Sequence, residues 1–276
     1  SKKKVDRFFS KEKPEFVFLA AAKTGGIQAN NAYPADFIYQ NLMIQSNVID
    51  AAHKYGAQKL LFLSSSCIYP KNCRQPMKEE HLMTGALEPT NEAYALAKLA
   101  GIGMCQSYNK QYGAKFICVV PSNVYGVNDN FSESGHVLAS LIRKFHFAKM
   151  KSQKVLELWG TGKPRREFLF AENLAEACIK LMNNYDDSKV INVGSGRDTS
   201  IKQLAQIIKK ITGYKGRIVY DRTKPDGNAR RSLDGSKIRS LGWQPTTPLE
   251  EGVRKTYLWY MKHVSSDDPE LRGGFS

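Results

Sequence analysis

Three short apolar runs, FVFLAA at 16–21, LLFLS at 60–64 and FICVV at 116–120, alternate with stretches of helical apolar spacing at 36–55 and 92–112. The second helix follows Pro89, with Thr90 and Asn91 as its expected cap. Runs this short, bounded by turn residues, read as strands, and the βαβαβ rhythm dictates a parallel sheet with crossover helices. Ligands on such a sheet gather beyond the carboxyl ends of its strands.

Past residue 122 the rhythm changes. A helix is expected over 135–149, then a short strand ending at Trp159 and a turn, GTGKP, at 160–164. A helix at 172–184, a strand at 190–193 and a plainly amphipathic helix at 200–212 follow. The tail from Ser265 is polar and Gly-rich and is expected to fray. A dinucleotide-binding sheet opens with a strand, a GxGxxG turn and a helix, and no such turn precedes Phe16. Gly25 and Gly26 follow a strand without that spacing, and Gly101 and Gly103 fall inside a helix, where packing is their expected role. The first βα unit is therefore expected to be missing from this sheet and supplied by residues upstream.

The net charge of +15 favours anionic ligands. The basic residues are scattered, with no RNP motif, zinc-finger spacing or arginine-rich tract, so phosphorylated small molecules fit better than nucleic acid. No run approaches the roughly 18 apolar residues that span a bilayer. The start, SKKK, is followed by no apolar segment of the signal-peptide kind, which makes a cytoplasmic protein the expectation. Five cysteines (67, 73, 105, 118 and 178) without a CxxC pair indicate neither a disulfide framework nor a metal site.

Tyr94 and Lys98 stand four apart on one helix face. A phenol ordinarily titrates near 10, and a neighbouring ammonium is expected to favour the phenolate and bring it into working range. Alone, YxxxK is a weak signal. The serines 64–66 leave one strand at the sheet edge where Tyr94 opens the helix before the next. Two hydroxyls converging on one carbonyl oxygen make an oxyanion site for an alkoxide or enolate. The bland alternatives are turn capping for the serines, packing for Cys67, and helix-surface or capping roles for His136, His53, His81, His146 and His263. Trp159 is open to a core role and Arg166 to a structural ion pair.

In combination, AAAKTGGI at 20–27, SSCIYP at 65–70, LEPTNEAY at 87–94, PSNVYG at 121–126, WGTG at 159–162, REFL at 166–169 and KPDG at 224–227 resemble the extended short-chain dehydrogenase/reductases. Within them the chain resembles the GDP-L-fucose synthases, which act on GDP-4-keto-6-deoxy-D-mannose. The resemblance implies an α/β fold: a Rossmann-like, doubly wound parallel sheet with its first βα unit missing, and a smaller C-terminal α/β substrate domain. It places an NADP-binding domain at 1–130, joined again by 167–194, a substrate domain at 131–264 and a flexible tail at 265–276. It implies a reductase triad of Ser65, Tyr94 and Lys98, with Ile68 and Tyr69 selecting Ser65 over its neighbours. Cys67 and His136 become the acid–base pair for epimerisation. Contacts to NADP(H) fall on Ala21, Ala22, Lys23, Gly25, Asn41, Tyr94, Lys98, Pro121, Asn123 and His136. Contacts to the GDP-sugar fall on Lys144, Trp159, Arg166 and Arg231. Lysine stands at 144 where arginine is frequent, which removes a bidentate phosphate fork.

Chemically these roles cohere. A C4 ketone acidifies C3–H and C5–H, and the enolate charge rests on the oxygen that Ser65 and Tyr94 address. A thiol and an imidazole both titrate near neutrality and supply a base and an acid on opposite faces. A related GDP-sugar epimerase or reductase performing part of the sequence, and a silent GDP-sugar-binding paralogue, are the alternatives. The helices at 36–55 and 92–112 are expected to form a homodimer's four-helix interface.

Overall fold

The computed structural model describes residues 1–132 and 135–263; the expected tail and Ser134, in the SGHV stretch around His136, lie outside the described residues. Helix α1 (Lys2–Glu12) precedes strand β1 (Phe16–Leu19), followed by α2 (Ile27–Ala32), α3 (Pro34–Lys54), β2 (Lys59–Leu63), α4 (Glu92–Tyr112) and β3 (Phe116–Pro121). Then come β4 (Asn123–Tyr125), α5 (Val137–Met150), β5 (Val155–Trp159), β6 (Arg165–Phe170), α6 (Ala171–Asn184) and β7 (Ile191–Val193). The chain closes with β8 (Asp198–Ser200), α7 (Ile201–Thr212), β9 (Arg217–Asp221), β10 (Arg230–Arg231), α8 (Ser236–Ser240) and α9 (Leu249–His263). Two compact units result: residues 1–122, 174–194 and 233–244 form one, and residues 123–173, 195–232 and those from 245 form the other.

The first unit holds a parallel sheet in the order β1-β2-β3-β7. Leu60, Leu61 and Phe62 of β2 and Ile117 to Val120 of β3 are fully buried, as strands covered on both faces must be. β1 is an edge strand on which Phe16 and Phe18 stay 50% and 47% exposed. α4 lies so close to β2 that a Cβ on Gly101 would sit 2.4 Å from Cζ of Phe62. The packing role expected for both helix glycines therefore holds for Gly101 alone. Gly103 is two residues, about 200° around the helix, from Gly101, and a Cβ there would meet nothing within 4 Å. Asn91 occupies the cap position of α4, but its side chain makes no capping bond. α1, which apolar spacing did not reveal, docks on α3 through buried Phe9 and a 2.7 Å Lys2–Asp50 ion pair.

In the second unit β6 pairs with β4 and β10 in parallel and with β8 antiparallel, while β5 pairs with β9. The apolar face of α7 puts Leu204 and Ile208 into a core with Ile142 and Phe145 of α5 and Tyr257 and Tyr260 of α9. Ser200 caps α7 reciprocally with Gln203: the Gln203 N–H donates to Ser200 Oγ, and the Ser200 N–H to Gln203 Oε1. His146 is not at the surface: its Nδ1 lies 3.1 Å from the Tyr257 hydroxyl, buried because the Phe145–Ala148 turn of α5 faces the core.

Candidate active site

All four strands of the first sheet run one way, so the segments leaving β1, β2 and β3 emerge at one edge. After β2, Ser65 opens a single 3-10 turn, Ser66–Ile68, and its Oγ accepts the Cys67 N–H at 3.5 Å. Ile68 and Tyr69 are fully buried, and the Tyr69 hydroxyl donates to Asn192 Oδ1 at 2.7 Å. Asn192 Nδ2 donates in turn to the Met77 carbonyl. This buried chain of bonds fixes which residues of the turn face outward. Ser65 consequently caps the turn, and its hydroxyl acts on that of Tyr94, favouring loss of the phenol proton.

α4 brings Tyr94 and Lys98 to the same place. Lys98 is 3% exposed; its Nζ donates to the Leu63 carbonyl at 2.9 Å and sits 5.9 Å from the Tyr94 ring centroid and 4.8 Å from that of Phe62. Burial pushes its amine down to about 8, against a smaller opposing pull from Cys67. The expected phenolate does not follow. Burial, helped by the negative charge available at Cys67, lifts the Tyr94 hydroxyl above its usual range, and the Ser65 hydroxyl offsets only part of this. Tyr94 therefore keeps its proton at neutral pH. With Ser65 it presents two hydroxyls at one point, the donor arrangement that a developing oxyanion requires. Phe37 of α3 packs edge-on against Tyr94, with ring centroids 6.3 Å apart.

The 20–26 loop after β1 is held from α3. Asn41, fully buried, accepts the Lys23 N–H at 2.9 Å and donates to the carbonyls of Lys23 and Phe37 at 3.0 and 2.7 Å. Its amide is spent on shaping the loop. Lys23 reaches Asp36 at 3.4 Å, Ala21 and Ala22 lie in the loop, and a Cβ on Gly25 would meet Phe37 at 3.1 Å. Pro121 ends β3. At the ends of neighbouring strands, the buried Oγ atoms of Ser64 and Ser122 have no hydrogen-bond partner among the described residues. Unpaired buried hydroxyls are costly unless a ligand completes them. These groups, beside the loop held by Asn41, fit the polar nicotinamide end of a dinucleotide.

The second unit carries the other residues. Trp159, at the end of β5, is not core: it is 58% exposed, with Nζ of Lys144 and of Lys224 at 5.8 and 5.6 Å from its ring. Arg166 and Arg231 are register partners on β6 and β10. Burial and Arg231 push the Arg166 guanidinium down to about 10, with Asp226 opposing. The 224–228 loop ties these parts together. Asp226 accepts the Thr161 N–H at 2.8 Å and the Thr161 hydroxyl at 2.5 Å, and Arg166 donates to the Asn228 carbonyl at 2.6 Å. Gly160, at φ +78°, admits the Asp226 carboxylate where a Cβ would collide with it. The result is an aromatic platform ringed by cations, suited to a base and a diphosphate. Asn123 donates to the Glu167 carbonyl at 2.9 Å, and His136 stands exposed at the N-terminus of α5. Phe37 was not singled out from sequence; Lys224 and Asp226 stood within the KPDG motif at 224–227 without a role of their own.

Residues 1–194 match the NAD dependent epimerase/dehydratase family. The chain belongs to that family. Among its relatives it is similar to GDP-L-fucose synthase 1 of Arabidopsis thaliana, 52% identical over 94% of this chain and 81% of that protein. It is 50% identical to the GDP-L-fucose synthase of Escherichia coli K12, over 94% of this chain and 84% of the relative. Among solved structures, a GDP-mannoheptose C4 reductase from Campylobacter jejuni with NADP bound is similar at TM-score 0.87 and 42% identity, over 95% of this chain and 86% of the other. The family's Rossmann-like sheet is the β1-β2-β3-β7 sheet described above. No described helix is long and apolar enough to cross a membrane.

Proposed function

We propose that this family member converts GDP-4-keto-6-deoxy-D-mannose to GDP-L-fucose with NADPH, inverting C3 and C5 and then reducing the C4 ketone. The observation that carries the reading is the Ser65–Tyr94 pair beside buried Lys98, in a chain half identical to proteins named GDP-L-fucose synthase.

Ser65 and Tyr94 hold the C4 oxygen and stabilise the negative charge that forms there when C3 or C5 is deprotonated. Cys67 and His136 serve as the acid–base pair that removes and returns those protons. Bound NADPH supplies hydride to C4. Tyr94, kept protonated by its burial, delivers the proton to the C4 oxygen, and Lys98 buffers the loss of that proton. The 20–26 loop with Asn41, together with Ser64 and the 121–123 segment, holds the cofactor. Lys144, Trp159, Arg166 and Arg231, joined by Lys224, hold the GDP moiety.

The first unit is the NADP-binding domain and the second the substrate domain. Tyr39 and Met43, one turn apart on α3, and Leu96 on α4 are exposed, and they form the face of a homodimer. Light scattering on the purified protein tests this; a monomer at micromolar concentration refutes it. The cytoplasm is the location that belongs with this reading.

Incubation with NADPH and GDP-4-keto-6-deoxy-D-mannose in deuterated water tests the reaction. The expected result is deuterium at C3 and C5 with one NADPH consumed per product. Label without NADPH oxidation, or oxidation without label, assigns a partial reaction. Neither signal, with the GDP-sugar still bound, assigns a silent binding protein.

A further inference from the structure

The starts of β5 and β9 border an open cleft of about 680 Å³, within the range of small-molecule sites. Two turns wall it, one between α5 and β5 and one between α7 and β9. Backbone bonds fix both: the Gln153 N–H donates to the Ala148 carbonyl at 2.9 Å, and the Gly213 N–H to that of Lys209 at 3.1 Å. Ala148, Val155 and Tyr214 supply apolar lining. β5 and β9 pair in parallel from Val155 and Arg217 to Trp159 and Asp221. At about 3.3 Å per residue, the cleft lies roughly 13 Å along the strands from the Trp159 platform.

Lys149, Lys154, Lys215 and Arg217 line the cleft, and no acidic residue does. None of the four has an ion pair among the described residues. Lys149 belongs to the last turn of α5, where complementing the helix dipole is reason enough for a cation. Lys154, Lys215 and Arg217 lie outside the helices, and that reason does not reach them. The Arg217 N–H donates to the Lys154 carbonyl at 2.9 Å, so two of these cations begin neighbouring strands. Lys149 Nζ crosses to the second turn, 3.9 Å from where a Cβ on Gly213 would stand. Like charges gathered without a counter-ion repel one another, and a bound anion relieves that repulsion.

A second observation is independent of charge. Tyr214 is 3% exposed, and its hydroxyl has no hydrogen-bond partner among the described residues. Phe145 packs edge-on against the ring, with centroids 5.8 Å apart. A Cβ on Gly216 would lie 2.1 Å from the Tyr214 oxygen and 2.6 Å from the Gln153 carbonyl. Gly216 lacks the positive φ that calls for glycine, so what its missing side chain leaves is space over the hydroxyl, on the cleft wall. A buried donor without an acceptor is costly unless a ligand supplies one.

We infer that this cleft is a second anion site, separate from the GDP platform, and that its ligand is a nucleoside di- or triphosphate. The phosphates lie among Lys154, Lys215 and Arg217 and accept the Tyr214 hydroxyl, while the nucleoside covers the apolar lining. A membrane surface would engage the exposed cations without reaching the recessed hydroxyl.

The test is calorimetric titration of the full chain with GDP, comparing wild type with Tyr214→Phe, Lys154→Glu/Lys215→Glu and Trp159→Ala/Lys144→Ala. Wild type is expected to bind two equivalents, and Lys154→Glu/Lys215→Glu one, with KM for the GDP-sugar unchanged. Tyr214→Phe keeps the ring and loses only an unpaired hydroxyl. It should weaken the second equivalent about tenfold without lowering the melting temperature, which keeps the inference falsifiable if the charge-reversed protein fails to fold. A single equivalent, kept by Lys154→Glu/Lys215→Glu and lost by Trp159→Ala/Lys144→Ala, overturns this inference and leaves the proposed function standing. A single equivalent with the opposite dependence supports the cleft and removes the platform's role instead. Undiminished binding in Tyr214→Phe overturns the seat given to the phosphates. Pyrophosphate filling the second site as tightly as GDP overturns the nucleotide assignment. Sedimentation with phosphatidylserine vesicles but no second equivalent of GDP overturns it in favour of a membrane contact.

Discussion

Replacing Lys98 by Met should stabilise the protein at neutral pH while abolishing its reductase activity. Burial depresses the Lys98 amine from its ordinary 10.5 to about 8. At ~1.4 kcal/mol per pH unit, holding it charged costs the folded state about 3 kcal/mol at pH 7. The amine's hydrogen bond to the Leu63 carbonyl contributes about 1 kcal/mol in return. A methionine of similar length removes both, for a net gain of about 2 kcal/mol. The folded state binds this proton less tightly than the unfolded chain does. The penalty is therefore fully present below about 8 and is relieved as pH rises from about 8 to 10.5. Urea unfolding of both proteins at pH 7 and near pH 10 reads this directly. The variant should be the more stable at pH 7, and the gap should close at the higher pH. A less stable variant at pH 7, or a gap independent of pH, would refute the placement of a strained, charged lysine beneath Tyr94.

Gly101→Ala should cost about 1–3 kcal/mol from crowding Phe62, less about 1 kcal/mol of helix propensity. It should also lower kcat by roughly 10- to 100-fold, because a displaced α4 carries Tyr94 and Lys98 with it; melting temperature and steady-state rates check both effects. Cys67→Ser should lower C3/C5 exchange by about 10²–10³ while NADPH binding persists, and undiminished exchange by mass spectrometry would remove Cys67 from the chemistry. Asp226→Ala frees the 224–228 loop from Thr161, so KM for the GDP-sugar should rise about tenfold with kcat within twofold. A fall in kcat with unchanged KM would contradict the loop's role as a binding support.

The parallel sheet was legible because buried strands and amphipathic helices differ in length and period. The 200–212 pattern read as amphipathic and Leu204 and Ile208 of it lie in the core, and i, i+4 spacing put Tyr94 and Lys98 on one face. What periodicity missed depends on contacts between distant segments. α1 carries a run of lysines and is held through Phe9 and Asp50; His146 is buried by an aromatic partner more than a hundred residues away. Gly101 and Gly103 look alike in sequence, and only the sheet beneath the helix distinguishes them. The same holds for charge. Spacing suggested that Lys98 would lower Tyr94, but burial lifts the Tyr94 hydroxyl and depresses the Lys98 amine, and the lowering influence on Tyr94 comes from Ser65. Asp226 acquires its meaning from a bond to Thr161, 65 residues away, which the PDG turn by itself does not encode.

The central claim is that one pair of hydroxyls serves both inversion and reduction. It is tested most directly by measuring, in Ser65→Ala, the rate of C3/C5 deuterium uptake and the rate of NADPH oxidation on the same GDP-4-keto-6-deoxy-D-mannose. Both steps place charge on the C4 oxygen, so both rates should fall together by about 10²–10³, the effect of removing one oxyanion donor. A variant that loses one rate and keeps the other would contradict the shared oxyanion site.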